Sequence, residues 1–559
     1  MKMWTVVFCT FATALVASAG NHAGRRGVAV DPGPGKALEE EQWRSRIPEN
    51  ESDYVVSLAP DGETYYARDG RYGNVVYEHT DAGRVIQTAI DSLDVDAGGR
   101  VFIKAGTYEL ERRVDIEDRS HVEIVGTEGS ILTAPDLGAV VYISGADHIT
   151  FRKLSFVDCG GKGINCVTGD YIRIEDCTFD NLVDSAIQAR IFSSEDPLKG
   201  MWIQGCHVRA ANQDSTTATG RGAIYLYCID GLFIQDNLVE GCGNIGISVQ
   251  RCTDRAVITD NVVRDNDSET IHGAGHGIYV GSNSPQSADV TIRGNVITGN
   301  GGNGIEAGSG TGDPGSRYVI TDNICDANGM EEAPHYRSGI YITGSHHVVA
   351  NNVCTRNGGD GIKVGYAYMA RRTLVVDNVI SDNNAGGDTT PQFSSGIACM
   401  GSGGEEVTPQ SVVIRGNLIT NDTGTQIHAV YCVDESDGIL IEGNHVLGHE
   451  VPQISWDPAS SEMVVRGNLG FATACRGSAL DSTGGVTGSI DVDLASELEI
   501  DDVISSLDPL AFSVTPTSGD SQGFFNHWVE PLGGTTFRIH WASGLEQSEV
   551  SFVYAYDDD

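Results

Sequence analysis

Lysine is scarce in this 559-residue chain, 7 residues against 29 arginines, while 77 acidic residues leave a formal charge of −41. A field of that sign repels DNA, RNA and anionic membrane surfaces, so no nucleic-acid partner is expected. Long apolar runs are missing too, and no segment after the first 20 residues approaches the ~18 apolar residues of a membrane span. Absent as well are any C-x-x-C pair and any His/Cys spacing of a zinc site, so no structural metal is expected. The repeats show no helical periodicity, which excludes helical solenoids.

The opening MKMWTVVFCTFATALVASAG sets Lys2 before a short apolar run and ends in Ala17-Ser18-Ala19, the small-residue pattern that signal peptidase cuts. Residues 1–19 are therefore expected to be a signal peptide, residues 20–50 a flexible linker, and the protein to be secreted or displayed at a cell or virion surface. An even set of twelve cysteines follows, which in an exported chain invites a disulfide reading. Several sit at repeat positions, among them Cys177, Cys206, Cys325 and Cys354, where a free thiol fills a core as a small apolar group. The acidic, lysine-poor composition resembles that of proteins from salt-loving organisms, in which a short Debye length screens self-repulsion.

What the chain has in abundance is glycine, asparagine and short β-branched runs. VTIRGNVITGNGGNGIEAGS, Val290 to Ser309, recurs in near-copies anchored on Asn237, Asn261, Asn295, Asn323, Asn352, Asn378, Asn417, Asn444 and Asn468, with Cys206, Cys177 and Leu154 in the same slot upstream, 23 to 39 residues apart. Stacked units of this period and composition form a parallel β-helix, with coils ~4.8 Å apart. Each coil carries a second strand of the form Gly-Ile-x-Val. Its central residue points outward and reads, coil by coil, Tyr225, Ser248, Tyr279, Glu306, Tyr341, Lys363, Ala398 and His428. The exposed first edge needs a cover. Residues 51–99 supply one, in which Asp81 caps a helix with an apolar stripe of Val85, Ile86, Ala89, Ile90 and Leu93. The expected fold is all-β: a single-stranded right-handed parallel β-helix over 100–470 behind this capping helix, a linker at 471–488, and a small β-sandwich-like domain at 489–559.

These repeats, with TDAGRVIQTAIDSL and GGRVFIKAGTYEL before them, resemble the right-handed parallel β-helix superfamily of pectate lyases, polygalacturonases, alginate epimerases and viral tailspikes. The resemblance covers about 100–470 and implies fold, not activity. GAGHGIYVGS, Gly273 to Ser282, is similar to the GHGISIGS signature of polygalacturonase-type hydrolases, which implies for His276 a role in supporting catalytic carboxylates. The paired aspartates of that signature are missing, since Asn244-Ile245 stands there. The C-terminal run from Phe512 to Tyr556 looks like the β-sandwiches that end viral tail fibres and like H-type lectins, which implies glycan binding or a homotrimer.

Aromatics flanking a carboxylate on a flat sheet suit carbohydrate, because sugar faces stack on rings while polar groups fix hydroxyls. Glu306, Asp360, Lys363, His276 and Tyr341 are the expected catalytic set. Tyr279, Tyr225, His428 and the loop residues Glu331, His335 and Arg337 are expected to bind substrate. Asp267, Glu269, His272, Glu332 and Asp388 lie on the same long insertions. Two mechanisms are open. A hydrolase pairs two carboxyls about 6.5–9.5 Å apart for inversion, and Glu306 and Asp360, two coils apart, fall roughly 10 Å from each other. A uronate lyase uses a base such as Tyr341 or Lys363 with Arg337, or with Ca²⁺ held by Glu331, Glu332 or Asp388. No cofactor is otherwise required. The expected function is binding and cleavage of an extracellular polysaccharide; the alternative is a tailspike-like or cell-surface protein that recognises glycans without strong catalysis.

Overall fold

The computed structural model describes residues 52–469, apart from the stretches 192–196, 213–221, 252–253, 268–274, 283–288, 310–316, 331–335, 367–368, 391–392, 402–408, 433–435, 437, 450–453 and 457–463. Beyond 469 it describes the strands 474–481, 485–493, 512–518, 525–533, 536–547 and 550–557. The expected signal peptide and linker lie outside the described residues, as do Glu269, His272, Glu331, Glu332 and His335.

The chain winds as a parallel β-solenoid of three sheets. One coil shows the rule: Val290–Arg293 lies in sheet I, Val296–Thr298 in sheet II and Ile305–Ser309 in sheet III. Sheets II and III each hold 13 strands, and sheet I holds 17 because the cap joins it. The corner between sheets I and II is two residues long, Gly294-Asn295 in this coil. From Lys153 onward its first residue has positive φ in every coil, as in Gly294 at 66°, Asp260 at 57°, Asp322 at 59°, Asn351 at 56° and Asp377 at 54°. Gly, Asp and Asn enter that conformation at least cost, hence the alternation of RGN, TDN and ANN in the repeats.

The second corner residue forms a buried ladder. Asn323 Oδ1 accepts from the backbone N–H (3.0 Å) and the Nδ2 (2.9 Å) of Asn295, while Asn323 Nδ2 donates to Ile292 O and to Asn352 Oδ1. Every polar atom of the side chain is thereby satisfied in a dry interior. A parallel ladder runs five residues on, through Asn266, Asn300, Asn328, Asn357 and Asn383 to Gln426. Its amides dictate the glycine of each Gly-Ile pair, since a Cβ on Gly339 would stand 2.6 Å from Asn357 Nδ2. On sheet I, inward columns such as Ile258, Ile292, Ile320, Val349 and Val375 are fully buried, each contributing about 1.5–3 kcal/mol.

The first edge is closed as expected. Helix α1 (Ala82–Asp91) is capped by Asp81, whose carboxylate accepts from Gly83 N (2.9 Å), and buries Val85, Ile86, Ala89 and Ile90, with Leu93 just beyond its end. Strands Tyr54–Leu58, Tyr65–Asp69 and Val75–His79 form an antiparallel meander, the first pairing with Gly99–Ile103. At the other end the strands form two three-stranded antiparallel sheets. The stretch 471–488 is not simply a linker. Ala474–Asp481 pairs with Val550–Asp557 and Gly485–Asp493 with Thr536–Gln547, so partners far along the chain make strands within a segment expected to be a linker.

Candidate functional site

The outward column of sheet III exists in the expected order up to its last member. Tyr225, Ser248, Tyr279, Glu306, Tyr341, Lys363 and Ala398 are register partners in successive coils. The next position is Tyr431; His428 instead pairs with Ser395, three residues earlier on the strand, and its ring stacks on Tyr431 at 4.9 Å. Ala429-Val430 replaces Gly-Ile in that coil, which removes the glycine that marks the register elsewhere.

His428 thus belongs to a second polar column at the strand entrance, with His276, Asn303, Ser338, Asp360 and Ser395. Its members tie coil to coil. The Asn303 backbone N–H donates to His276 Nδ1 (3.0 Å), Ser338 N–H to Asn303 Oδ1 (2.8 Å), and Ser395 N–H to Asp360 Oδ1 (2.9 Å).

The two columns meet at Glu306. Because His276 Nδ1 is an acceptor, its proton sits on Nε2, which points at Glu306 Oε2 from 3.2 Å. Asn303 Nδ2 donates to the same oxygen at 2.8 Å. Glu306 Oε1 has no hydrogen bond among the described residues, and 17% of the side chain is exposed. One oxygen is therefore held by the Asn303 amide with His276 Nε2 close beside it, while the side chain is partly exposed. The Tyr279 ring packs beside His276 (6.0 Å, 19°), with its hydroxyl 3.0 Å from where a Gly281 Cβ would stand. A larger residue at 281 would lift that ring. Tyr336 meets the other side of His276 edge-on at 5.7 Å, and its neighbour Arg337 is half-buried.

On both sides of Tyr279 and Glu306 the column is sealed rather than solvated. Tyr225 and Tyr341 are each 6% exposed, and toward the C-terminal coils Lys363 and Asp360 are completely buried. Lys363, the one lysine after Lys199, lies under the rings of Phe393 (5.1 Å), Tyr341 (5.6 Å) and Tyr366 (5.9 Å), with its Nζ 3.4 Å from Asp360 Oδ2. Ala398, Met400 and Phe393, with Tyr366 and Tyr431 against them, make a small apolar cluster separate from the solenoid core. Burial outweighs the attraction between the two charges. It pushes the Asp360 carboxyl up to about 6 against the opposing effect of Lys363, and lowers the Lys363 ammonium against the opposing effect of Asp360. Asp360 and Lys363 therefore stand under cover, where neither touches a ligand on the sheet surface, contrary to their expected exposure. Asp388 is half-buried within electrostatic reach of both. Among the described residues, no three His, Cys, Asp or Glu side chains converge as metal ligands.

The sequence matches the family described as "Right handed beta helix region" over residues 139–323 and again over 270–444, together more than half of the chain. The chain belongs to the right-handed β-helix family. Solved β-helix structures similar to it include the A-module of the Azotobacter vinelandii mannuronan C-5 epimerase AlgE6, at 18% identity and a TM-score of 0.46 over 69% of this chain and 95% of that one. The Dettilon tailspike protein aligns at 14% identity and a TM-score of 0.40 over 84% of this chain and 90% of its own. The alginate lyase AlyF-OU02, in its complex with G6, aligns at 14% identity and a TM-score of 0.42 over 69% and 83%. No curated protein sequence matches this β-helix.

Proposed function

We propose that this β-helix is an extracellular polysaccharide-binding protein that cleaves its glycan by acid–base chemistry at Glu306. The observation that carries the reading is the setting of that carboxylate: Oε2 accepts from Asn303 Nδ2 and lies 3.2 Å from His276 Nε2, and His276 Nδ1 itself accepts from a backbone N–H. A reactive group, a group that orients it and a third that orients the second is the arrangement of an acid–base site. Glu306 is the acting group, His276 and Asn303 are positioning residues, and the half-buried Tyr279 ring offers a stacking surface to the sugar. The basic, then apolar N-terminal segment supports export.

One observation favours a second reading, recognition without cleavage. Asp360, the partner that a two-carboxylate hydrolase would pair with Glu306, is sealed under the Lys363 cluster.

Incubating the full-length protein at high ionic strength with a panel of neutral and acidic polysaccharides separates the two. New reducing ends are expected from one glycan class, and an ultraviolet-absorbing unsaturated product identifies elimination instead of hydrolysis. Binding without product supports recognition alone, and no binding to any glycan overturns both readings.

A further inference from the structure

The outer faces of sheets I and II carry an apolar stripe that none of the chemistry above uses. On sheet I, Val319, Val348, Leu374, Val413, Leu440 and Val464 are register partners in six successive coils, all outward. Beside them on sheet II run Val296, Ile324, Val353 and Val379. Val319, Leu374, Val379 and Val464 are 39–46% exposed, and the others are partly exposed. In a strand with one face in the core, the other is ordinarily polar. Here the sequence places aliphatic residues on both.

Three features of this face narrow down what covers it. It is open, because the corner between the two stripes is two residues long in each of these coils and carries no insertion. Much of its charge is cancelled in a chain of charge −41, because its arginines pair with acids a coil away: Arg293 with Asp322 (2.9 Å), Arg317 with Asp289 (2.5 Å), Arg356 with Asp326 (2.5 Å) and Arg466 with Glu442 (2.9 Å). Two molecules so strongly charged can approach each other only where the charge is cancelled. It is also long: side chains at these exposures over two rows amount to several hundred Å², the size of the largest apolar patch on a monomer, which is often an interaction site.

We infer that this face is a self-association surface, on which a second copy of the chain lays its own stripe. Both copies present ridges at the same strand spacing of ~4.8 Å, so rows of one can seat between rows of the other along the rod. The inference is independent of the glycan reading.

Sedimentation of the full-length protein across a range of ionic strengths tests it. The wild type is expected to associate, and more strongly as salt rises, because salt screens the net repulsion without weakening an apolar contact. Replacing Val319→Glu and Leu374→Glu together, at outward positions that leave the core intact, should raise the dissociation constant about tenfold or more, with an unchanged circular dichroism spectrum. A wild type that stays monomeric overturns the inference. So does an oligomer that the double variant leaves unaltered, since the copies would then meet elsewhere, for example through the C-terminal strands.

Discussion

His276 Nε2 reaches across one coil boundary to within 3.2 Å of Glu306 Oε2, although the two residues are 30 positions apart in sequence. The contact exists because His276 and Asn303 stack at the strand entrance and Glu306 follows Asn303 by three residues. His276→Gln keeps a donor but loses the ring that packs between Tyr279 and Tyr336. It should lower the turnover of any glycan cleaved by about 10- to 100-fold, and Asn303→Ala similarly. Both should act on kcat more than on KM, because neither residue contacts the sugar. A change confined to KM would make them substrate-binding residues instead.

The asparagine ladder ties each coil to the next through buried hydrogen bonds. Asn323→Ala strips partners from Asn295, Ile292 and Asn352 at once, so it should cost about 2–4 kcal/mol in denaturant unfolding. Gly304→Ala places a Cβ 2.6 Å from Gly339 O and 2.9 Å from Asn328 Nδ2, with an expected cost of about 1–3 kcal/mol. Unchanged midpoints in both variants would mean that the ladder is not part of the cooperative unit.

The Asp360–Lys363 pair should write its own pH dependence. The Asp360 carboxyl sits at about 6 in the folded protein, against ~3.9 for an unfolded aspartate. The folded state therefore holds the extra proton between those values, and this contribution to stability is fully present below about pH 4 and is lost as pH rises through about 6. Lys363, lowered by burial, has the opposite sign and weighs on stability until pH rises toward the ordinary lysine range. Asp360→Asn with Lys363→Met removes both titrations, and the difference in unfolding free energy between wild type and double variant should slope against the wild type from pH 4 to 6. With Lys363→Met alone the loss should extend to higher pH. A difference that is flat with pH would contradict the sealed pair.

All ten cysteines described in full are free and buried, including Cys325 and Cys354, which face each other across neighbouring coils. Burial pushes the thiols of Cys159, Cys166 and Cys242 up to about 12. Thiol reagents at neutral pH should therefore label these positions only after unfolding, as mass mapping with and without denaturant would show. Fast labelling of Cys166 in the native protein would contradict its place in the core.

The coil was legible wherever a corner imposes a conformation. Only a few residue types suit the left-handed position before each ladder asparagine, so the pattern survived insertions of any length elsewhere. The second ladder was present as an asparagine five residues after the first, from Asn261 and Asn266 to Asn378 and Asn383, but passed as ordinary turn composition. The rows from Ser248 to Ala398 followed from the Gly-Ile marker; His428 was misplaced where Ala429 removes it. The enclosure of Lys363 was not legible, because Phe393 and Tyr366 come from different coils and their meeting depends on loop paths that no periodicity encodes. The clamp on Glu306 lay between these cases: His276 stood out, but its partner in the following coil required the register.

The most direct measurement is the release of reducing ends or unsaturated product by Glu306→Gln beside the wild type, on the glycan that the wild type cleaves best. The substitution preserves shape and leaves the His276 and Asn303 donors an oxygen to bind. The expected result is a loss of about 10²- to 10⁴-fold in rate with an unchanged unfolding midpoint. Wild-type rates in that variant would contradict the assignment of Glu306 and leave the outer face of sheet III without its acting group.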